Sequence, residues 1–396
     1  MPDGEKVANL VHLHGHFDHC GFTPGIEKAN RFTTNAKAWG APQTNELLAI
    51  HFKETMRRSP YLYNRLHVRR TLKRMRVIPL GEFRISKSYT CYVVPNGHIP
   101  GSVSCIVRVP GGRKYLFMGD ICFHDQEIIK GAKLLSRSVP EEWLPDGILS
   151  ADPFSLFGSP HPSEDPVEKL ADAIAANPTK RFLIATLSVG RQQIFALGVR
   201  DALRRRGVDI PLWADGIGIV VFGIFRKRWS ELDREFSTEG IRFVSSVEER
   251  ERLAQSTEPA VIFSSAGMED VGAIAAYLPH FLPVSDYYFA TSSHLPKGSK
   301  HLLIQKESLK ESGEVTIGEQ TVPIRCKVLD LRKSAHADRE QTYLFLEDLV
   351  RARGKKLKIM VVRVPDGMRT GGMISRLRKD ITEEIIVSAP GTTLTL

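Results

Sequence analysis

From about residue 77 to 122 the apolar positions come in short runs: Arg76-Val77-Ile78-Pro79-Leu80, Tyr89 to Val94, Ser104 to Val109 and Lys114 to Met118. Each is rich in Val, Ile, Tyr or Phe and is punctuated by Pro or Gly, which predicts strands. The opening run, residues 7–13, and Gly147 to Ala151 read the same way. Residues 42–76 read as largely helical.

From residue 165 strands and helices alternate. Asp165 to Asn177 is amphipathic, with Pro166 in its first turn, as helix starts prefer. Arg181 to Thr186 is a strand, and Gly190-Arg191-Gln192-Gln193 opens a helix that ends at Arg204-Arg205-Arg206-Gly207, with cations where the helix dipole favours them. Ile210 to Trp213 and Ala260 to Phe263 are further strands, the latter running into the small-residue turn Ser264 to Met268. Such turns offer backbone N–H groups to anions, or serve turn geometry alone. Val328 to Leu331 is strand-like, Asp338 to Arg353 helical, Leu357 to Val362 a strand, and a final helix includes Met373 to Lys379. A composition shift at 158–166, Gly-Ser-Pro-His-Pro-Ser-Glu-Asp-Pro, marks a domain junction.

The strand ends carry the chemistry. His14-Gly15-His16-Phe17-Asp18-His19 follows the first strand, and with His12 it places four of the chain's 13 histidines within eight positions. An i, i+2 pair on extended chain points both rings to one side, and imidazole with carboxylate suits zinc and similar metals. Asn96-Gly97-His98 follows another strand, Gly119-Asp120 another, and Asp152 a fourth. Alone, each of these is a turn or core residue; with His14 to His19 they make the inventory of a two-metal site. His336, in Lys333-Ser334-Ala335-His336-Ala337-Asp338, sits between a strand and a helix, where it can enter a cleft or pack.

Composition narrows the class. At 396 residues, 42% hydrophobic and 25% charged, the chain is an ordinary globular protein of two to three domains' length. No apolar run reaches the roughly 18 residues of a membrane span, and Met1 to Lys6 lacks a signal core. The five cysteines, Cys20, Cys91, Cys105, Cys122 and Cys326, form no C-x-x-C pair, which argues against a disulfide framework and fits a cytoplasmic protein. A net charge of +10 favours a polyanionic partner, nucleic acid before acidic membrane. Met56 to Arg65, then Arg69, Arg70, Lys73, Arg74 and Arg76, interleave cations with Tyr61 and Tyr63. This pattern suits phosphates and stacked bases and equally a solvated helix face.

In this order, the H-x-H-x-D-H stretch His14–His19, the later His98 and Asp120, Asp152, Gly190-Arg191-Gln192-Gln193, Ser265-Ala266-Gly267-Met268 and Ser334-Ala335-His336-Ala337-Asp338 resemble the β-CASP nucleases of the metallo-β-lactamase fold. The resemblance spans nearly the whole chain. It implies an α/β protein: a metallo-β-lactamase αββα sandwich over 1–158 and 333–396, with an inserted β-CASP α/β domain over 159–332 that caps the cleft and leaves a basic channel. It implies two zinc ions, the first held by His14, His16, His98 and Asp120, the second by Asp18 and His19 with Asp120 bridging. It implies catalytic roles for Asp18, which orients or deprotonates the nucleophile, for His336 at the scissile phosphate or leaving oxygen, and for Asp152, which orients His336. Arg191, Ser265, Gly267 and Arg363 are the implied substrate contacts. The implied activity is hydrolysis of RNA to 5′-phosphate and 3′-hydroxyl ends by a cytoplasmic, membrane-free protein that acts on single-stranded RNA (or DNA) and forms a homodimer.

Two departures qualify this expectation. Only 13 residues precede His14, fewer than in family members, so a truncated N-terminus or a reduced first sheet is expected. The last strand reads Val361-Val362-Arg363-Val364-Pro365, without the histidine that RNA-cleaving members place there, so the second zinc site is expected to be the weaker, or empty with Arg363 serving the phosphate. Artemis-type DNA nucleases also lack this histidine, which makes DNA cleavage the alternative. A non-catalytic nucleic-acid-binding subunit is the third reading, against which the intact ligand set argues.

Overall fold

The protein is described from a computed structural model, over residues 5–158, 161–228, 236–265, 272–292, 298–362, 364 and 370–387. In chain order the strands are β1 Val7–Val11, β2 Phe32–Gly40, β3 Met75–Val77, β4 Gly81–Arg84, β5 Thr90–Pro95, β6 Val103–Arg108, β7 Lys114–Phe117 and β8 Gly147–Ala151. There follow β9 Arg181–Thr186, β10 Leu212–Asp215, β11 Ile241–Phe243, β12 Ala260–Ser265, β13 Tyr288–Thr291, β14 Glu314–Ile317, β15 Gln320–Pro323 and β16 Lys327–Asp330, then β17 Leu357–Val361 and β18 Thr382–Val387. The chain divides into two compact units, Met1–Pro160 with Ala335–Leu396, and His161–Ser334.

The first unit is an α/β sandwich. Its larger sheet has the order β18-β17-β8-β7-β6-β5-β4, and its smaller sheet the order β1-β2-β3. Strands β4 to β7 are joined antiparallel, and β7, β8, β17 and β18 run parallel. Side chains alternate across the larger sheet as a period of two requires. Val103 and Cys105 of β6, with Cys91 and Val93 of β5, pack with Val11, Leu13 and Trp39 from the smaller-sheet side. Ile106, Leu116 and Ile148 turn the other way, onto Leu346 and Leu349 of the helix Arg339–Arg353. On the outer side of the smaller sheet, Leu48 and Phe52 of the helix Pro42–Arg58 pack with Cys20, Tyr63, Val68 and Met75.

The second unit is built on six parallel strands in the order β11-β10-β12-β9-β13-β16. Parallel strands covered on both faces read as continuous apolar runs, and β9, β12 and β13 are buried throughout. Strands β14 and β15 form a separate antiparallel hairpin. The two ends of the unit are pinned by Lys333 Nζ, which donates to Asp165 Oδ1 at 2.9 Å.

This topology gathers the first unit's strand ends. β5 and β7 flank β6 antiparallel, so they point the same way, and β8 lies parallel to β7. Their carboxyl ends therefore emerge on one edge, and His98, Asp120 and Asp152 follow those ends. Sequence reading missed β2, β4, β11, β13, β18 and the hairpin, and placed the second strand of the insertion two residues early, at Ile210 rather than Leu212.

Candidate metal centre

Two turns place ligands through glycine. Gly97, just before His98, has φ +74°, and a Cβ there would lie 2.4 Å from the Cys122 carbonyl oxygen. Gly119, just before Asp120, has φ +66°. Residues with side chains rarely adopt this region. The His98 turn is held from beneath by Gln126, whose Nε2 donates to the carbonyls of Gly97 at 2.7 Å and His98 at 2.9 Å. His51, on the helix Pro42–Arg58, donates from Nε2 to the Gly15 carbonyl at 2.9 Å and fixes the backbone between His14 and His16. Neither Gln126 nor His51 was singled out from sequence, because a glutamine or histidine that bonds only to backbone carries no motif.

Donor atoms of His14, His16, His98 and Asp120 all lie within 4.8 Å of one another, as do those of Asp120, Asp152 and His336. Asp120 belongs to both sets. Its Oδ2 lies 3.4 Å from His14 Nε2, 3.3 Å from His19 Nε2, 3.5 Å from His98 Nε2 and 3.9 Å from His336 Nε2. Asp18 and His19 stand beside these sets: Asp18 Oδ2 is 3.3 Å from His19 Nε2, and the Asp18 side chain is 64% exposed. Asp120 thus faces two neighbours, the expected Asp18 and His19 on one side and the Asp152–His336 pair on the other.

The chemistry of the donors fits a metal. His14 is fully buried, and neither ring nitrogen has a hydrogen-bond partner, a costly arrangement for polar atoms unless a ligand satisfies them. His98 Nδ1 donates to the Ala335 carbonyl at 3.0 Å, which leaves the Nε2 lone pair of the neutral ring aimed at the cluster. A backbone carbonyl on the far nitrogen is how metal-ligating histidines are oriented. His98 Nε2 and His16 Nδ1 are 3.0 Å apart. Burial, then the neighbouring imidazoles of His98, His16, His19 and His336, hold His14 well below the usual histidine range, so it stays neutral. Burial and the charge of Asp152 push Asp120 up to about 6.

Asp152 and His336 form a directional pair. His336 Nδ1 donates to Asp152 Oδ2 at 2.7 Å. Asp152 also caps the short helix Pro153–Phe157, accepting from the Phe154 N–H at 2.9 Å on Oδ1 and from the Ser155 hydroxyl on Oδ2. Burial alone would raise its pKa, but the charge of His336 and these three hydrogen bonds outweigh it and keep the carboxyl below the ordinary range. His336 is thereby fixed with Nε2 on the Asp120 side, 3.9 Å from Oδ2.

Of the expected substrate contacts, the two that are described belong to the second unit. Arg191 is buried at the first position of the helix Arg191–Arg205, in the second unit. Ser265 closes β12, and its hydroxyl donates to the Asp215 carbonyl at 3.2 Å. Gln192 and Gln193 are structural: they donate to the carbonyls of Asp215, Phe263, Ser188 and Gly218. Gly267 and Arg363 lie outside the described residues. No described helix is long and apolar enough to cross a membrane. All five cysteines are buried and none is in a disulfide.

No protein-family model matches the chain. Among curated proteins it is similar to the transcription termination factor FttA of Methanocaldococcus jannaschii, at 23% identity over 372 residues, 87% of this chain and 57% of that protein. It is similar to the RNase J-like protein of the same organism, at 24% over 349 residues, 85% of this chain and 77% of that one. With the RNase aCSPSF2 of Saccharolobus solfataricus it shares 24% over 413 aligned positions, 99% of this chain and 75% of that protein. The chain spans about half the length of the FttA proteins it matches. Proteins named as archaeal ribonucleases and transcription termination factors are thus what this chain is similar to.

Proposed function

We propose that the protein is a metal-dependent RNA phosphodiesterase of the metallo-β-lactamase fold, β-CASP branch, that leaves 5′-phosphate and 3′-hydroxyl ends. The observation that carries the reading is the convergence of His14, His16, His98 and Asp120 beside the Asp152–His336 pair. The ribonuclease names of the similar proteins agree with it. His14, His16, His98 and Asp120 would hold one zinc ion, and Asp120 with Asp18 and His19 a second and weaker one. When bound, zinc acidifies water and neutralises charge on the phosphate.

The chain's own residues do the rest. Asp18, exposed at the mouth, takes the proton of the attacking water. His336, locked by Asp152, turns Nε2 to the reacting phosphate and hands a proton to the departing 3′ oxygen as the P–O3′ bond breaks. Asp152 accepts from Nδ1 and so stabilises the protonated imidazole whose Nε2–H is the proton given up, leaving the neutral ring with its proton on Nδ1.

The test is to count bound zinc and incubate the protein with labelled single-stranded RNA and DNA, with and without chelator, beside His16→Ala. Chelator-sensitive RNA cleavage that His16→Ala abolishes is expected. Binding without cleavage, and without metal, would sink the enzyme reading. Cleavage of DNA alone would replace RNA as the substrate, the outcome that the histidine-free strand Leu357–Val361 favours.

A further inference from the structure

We propose that the outer face of the helix Arg65–Arg74, with Tyr61, is a second docking surface for single-stranded RNA, outside the metal centre. It rests on the RNA reading above.

The helix is amphipathic in a particular way. Val68 and Thr71 are buried, and Val68 and Leu72 pack into the cluster of Leu48, Phe52, Tyr63 and Cys20. Its apolar face is therefore used up by the fold. Arg65, Arg69 and Lys73 stand at i, i+4 and i+8, about 6 Å apart per step, and with Arg70 and Leu66 they occupy an outer arc of roughly 140°. All five are exposed.

The structure separates working cations from structural ones. Arg74, on the inner side, donates to Glu27 Oε2 at 2.8 Å and to the carbonyls of Thr33 and Thr34. Arg76 donates to backbone carbonyls of Lys73 and Met75. Arg57 pairs with Glu54 at 3.0 Å. Arg65, Arg69, Arg70 and Lys73 make no hydrogen bond or ion pair among the described residues, and no acid lies between residues 55 and 81. Four like charges along ten residues with no compensation repel one another, which a polyanion relieves. Tyr61, 74% exposed just before the helix, supplies a face on which a base can stack.

RNA is favoured over an acidic membrane because an interfacial helix must insert an apolar face, and here that face is inside the protein. The surface is also coupled to the metal-ligand segment: Tyr63 Oη donates to the Gly21 carbonyl at 2.9 Å, two residues beyond His19. Lys28 Nζ donates to the Tyr61 carbonyl at 2.6 Å. A strand held on this helix is thus tied to the same local core as His14 to His19.

The test compares the wild-type protein with the combined variant Arg65→Gln, Arg69→Gln, Arg70→Gln, Lys73→Gln, which keeps helix-forming side chains. Binding of a fluorescent oligouridylate of about 20 nucleotides is read by anisotropy across a salt series with chelator present, and the log–log slope is expected to become shallower by about 3 for four lost phosphate contacts. Replacing the three arginines by lysine keeps the slope. Tyr61→Ala lowers affinity without changing it. Cleavage of a trinucleotide stays within about two-fold of wild type if the surface only docks. An unchanged slope in the glutamine variant overturns the proposal, as does loss of binding to phosphatidylserine vesicles with RNA binding intact. Failure of the wild type to cleave even the trinucleotide counts against the phosphodiesterase reading alone, since the slope is measured without cleavage.

Discussion

The His336 Nδ1–H donates to Asp152 Oδ2 at 2.7 Å across 184 positions of sequence, and the carboxylate that receives it also accepts from Ser155 and from the Phe154 N–H. A carboxylate so held orients the imidazole and fixes its tautomer. Asp152→Asn keeps the shape but reverses the donor logic, and it is expected to lower kcat on RNA by about 10²- to 10⁴-fold with bound metal retained. Steady-state kinetics beside a zinc count checks this. Loss of metal together with activity would instead make Asp152 a ligand.

Gln126 supports the His98 turn without approaching the reacting atoms. Removing such an orienting partner typically costs about 10- to 100-fold in metal affinity. Gln126→Ala is expected to fall in that range in a competition titration with a chromophoric chelator, while Gln126→Glu, which loses the donated bonds but not the bulk, falls with it.

Gly97→Ala meets two penalties, a positive φ and a Cβ placed 2.4 Å from the Cys122 carbonyl oxygen. A loss of roughly 2 kcal/mol or more in unfolding free energy is expected, read by urea denaturation of the metal-free protein.

His12, two residues before His14, gives a pH signature of its own. Its Nε2 lies 2.9 Å from Thr23 Oγ1, and the Thr23 hydroxyl donates its own proton to the Cys20 carbonyl, so His12 is the donor of the pair and is neutral. Burial pushes it down to about 4 from 6.5. With the folded value depressed, the unfolded chain takes up a proton first as pH falls. The stabilisation is whole above pH 6.5 and is lost progressively as pH drops towards 4, an effect of about 3 kcal/mol. His12→Gln keeps the hydrogen-bond donor and is expected to flatten the stability profile across that window by this amount. A profile as steep as wild type would assign the acid sensitivity to other groups.

Metal removal has its own readout. A ligand at 100 times its dissociation constant adds about 2.7 kcal/mol of stability. Chelator is therefore expected to lower the melting temperature of the wild-type protein and to leave that of His16→Ala unchanged.

Much of the site could be read before any coordinates, because ligands sit where strands end and the strands that carry them are apolar and bounded by glycine. β5, β7 and β8 announce themselves, and so do His98, Asp120 and Asp152 behind them. β2 does not. Its Thr33, Thr34, Asn35 and Lys37 are polar, its burial is irregular, and it is a strand because β1 and β3 pair with it on both sides. β18 is likewise acidic at its start and half-exposed at the sheet edge. Tertiary pairing decides such segments, and local preference does not. What adjacency could not give is distance: Asp120 lies 3.3 Å from His19 and 3.9 Å from His336, contacts that only the fold makes between residues about 100 and 200 positions apart.

The salt bridge between Lys333 and Asp165 bears on how the first unit closes. β8 can acquire β17 as its neighbour only after about 200 further residues have been made, roughly 10 to 40 s of synthesis at ordinary translation rates. During that interval its outer edge is an unpaired strand. Once the inserted unit has folded and its ends are pinned, the slack between β8 and β17 shrinks to about 40 residues, which lowers the loop-closure penalty by about 1–2 kcal/mol. On this account the insertion is a splint in assembly, and charge reversal at Lys333 is expected to lower the yield of folded protein more than the turnover of the protein that does fold.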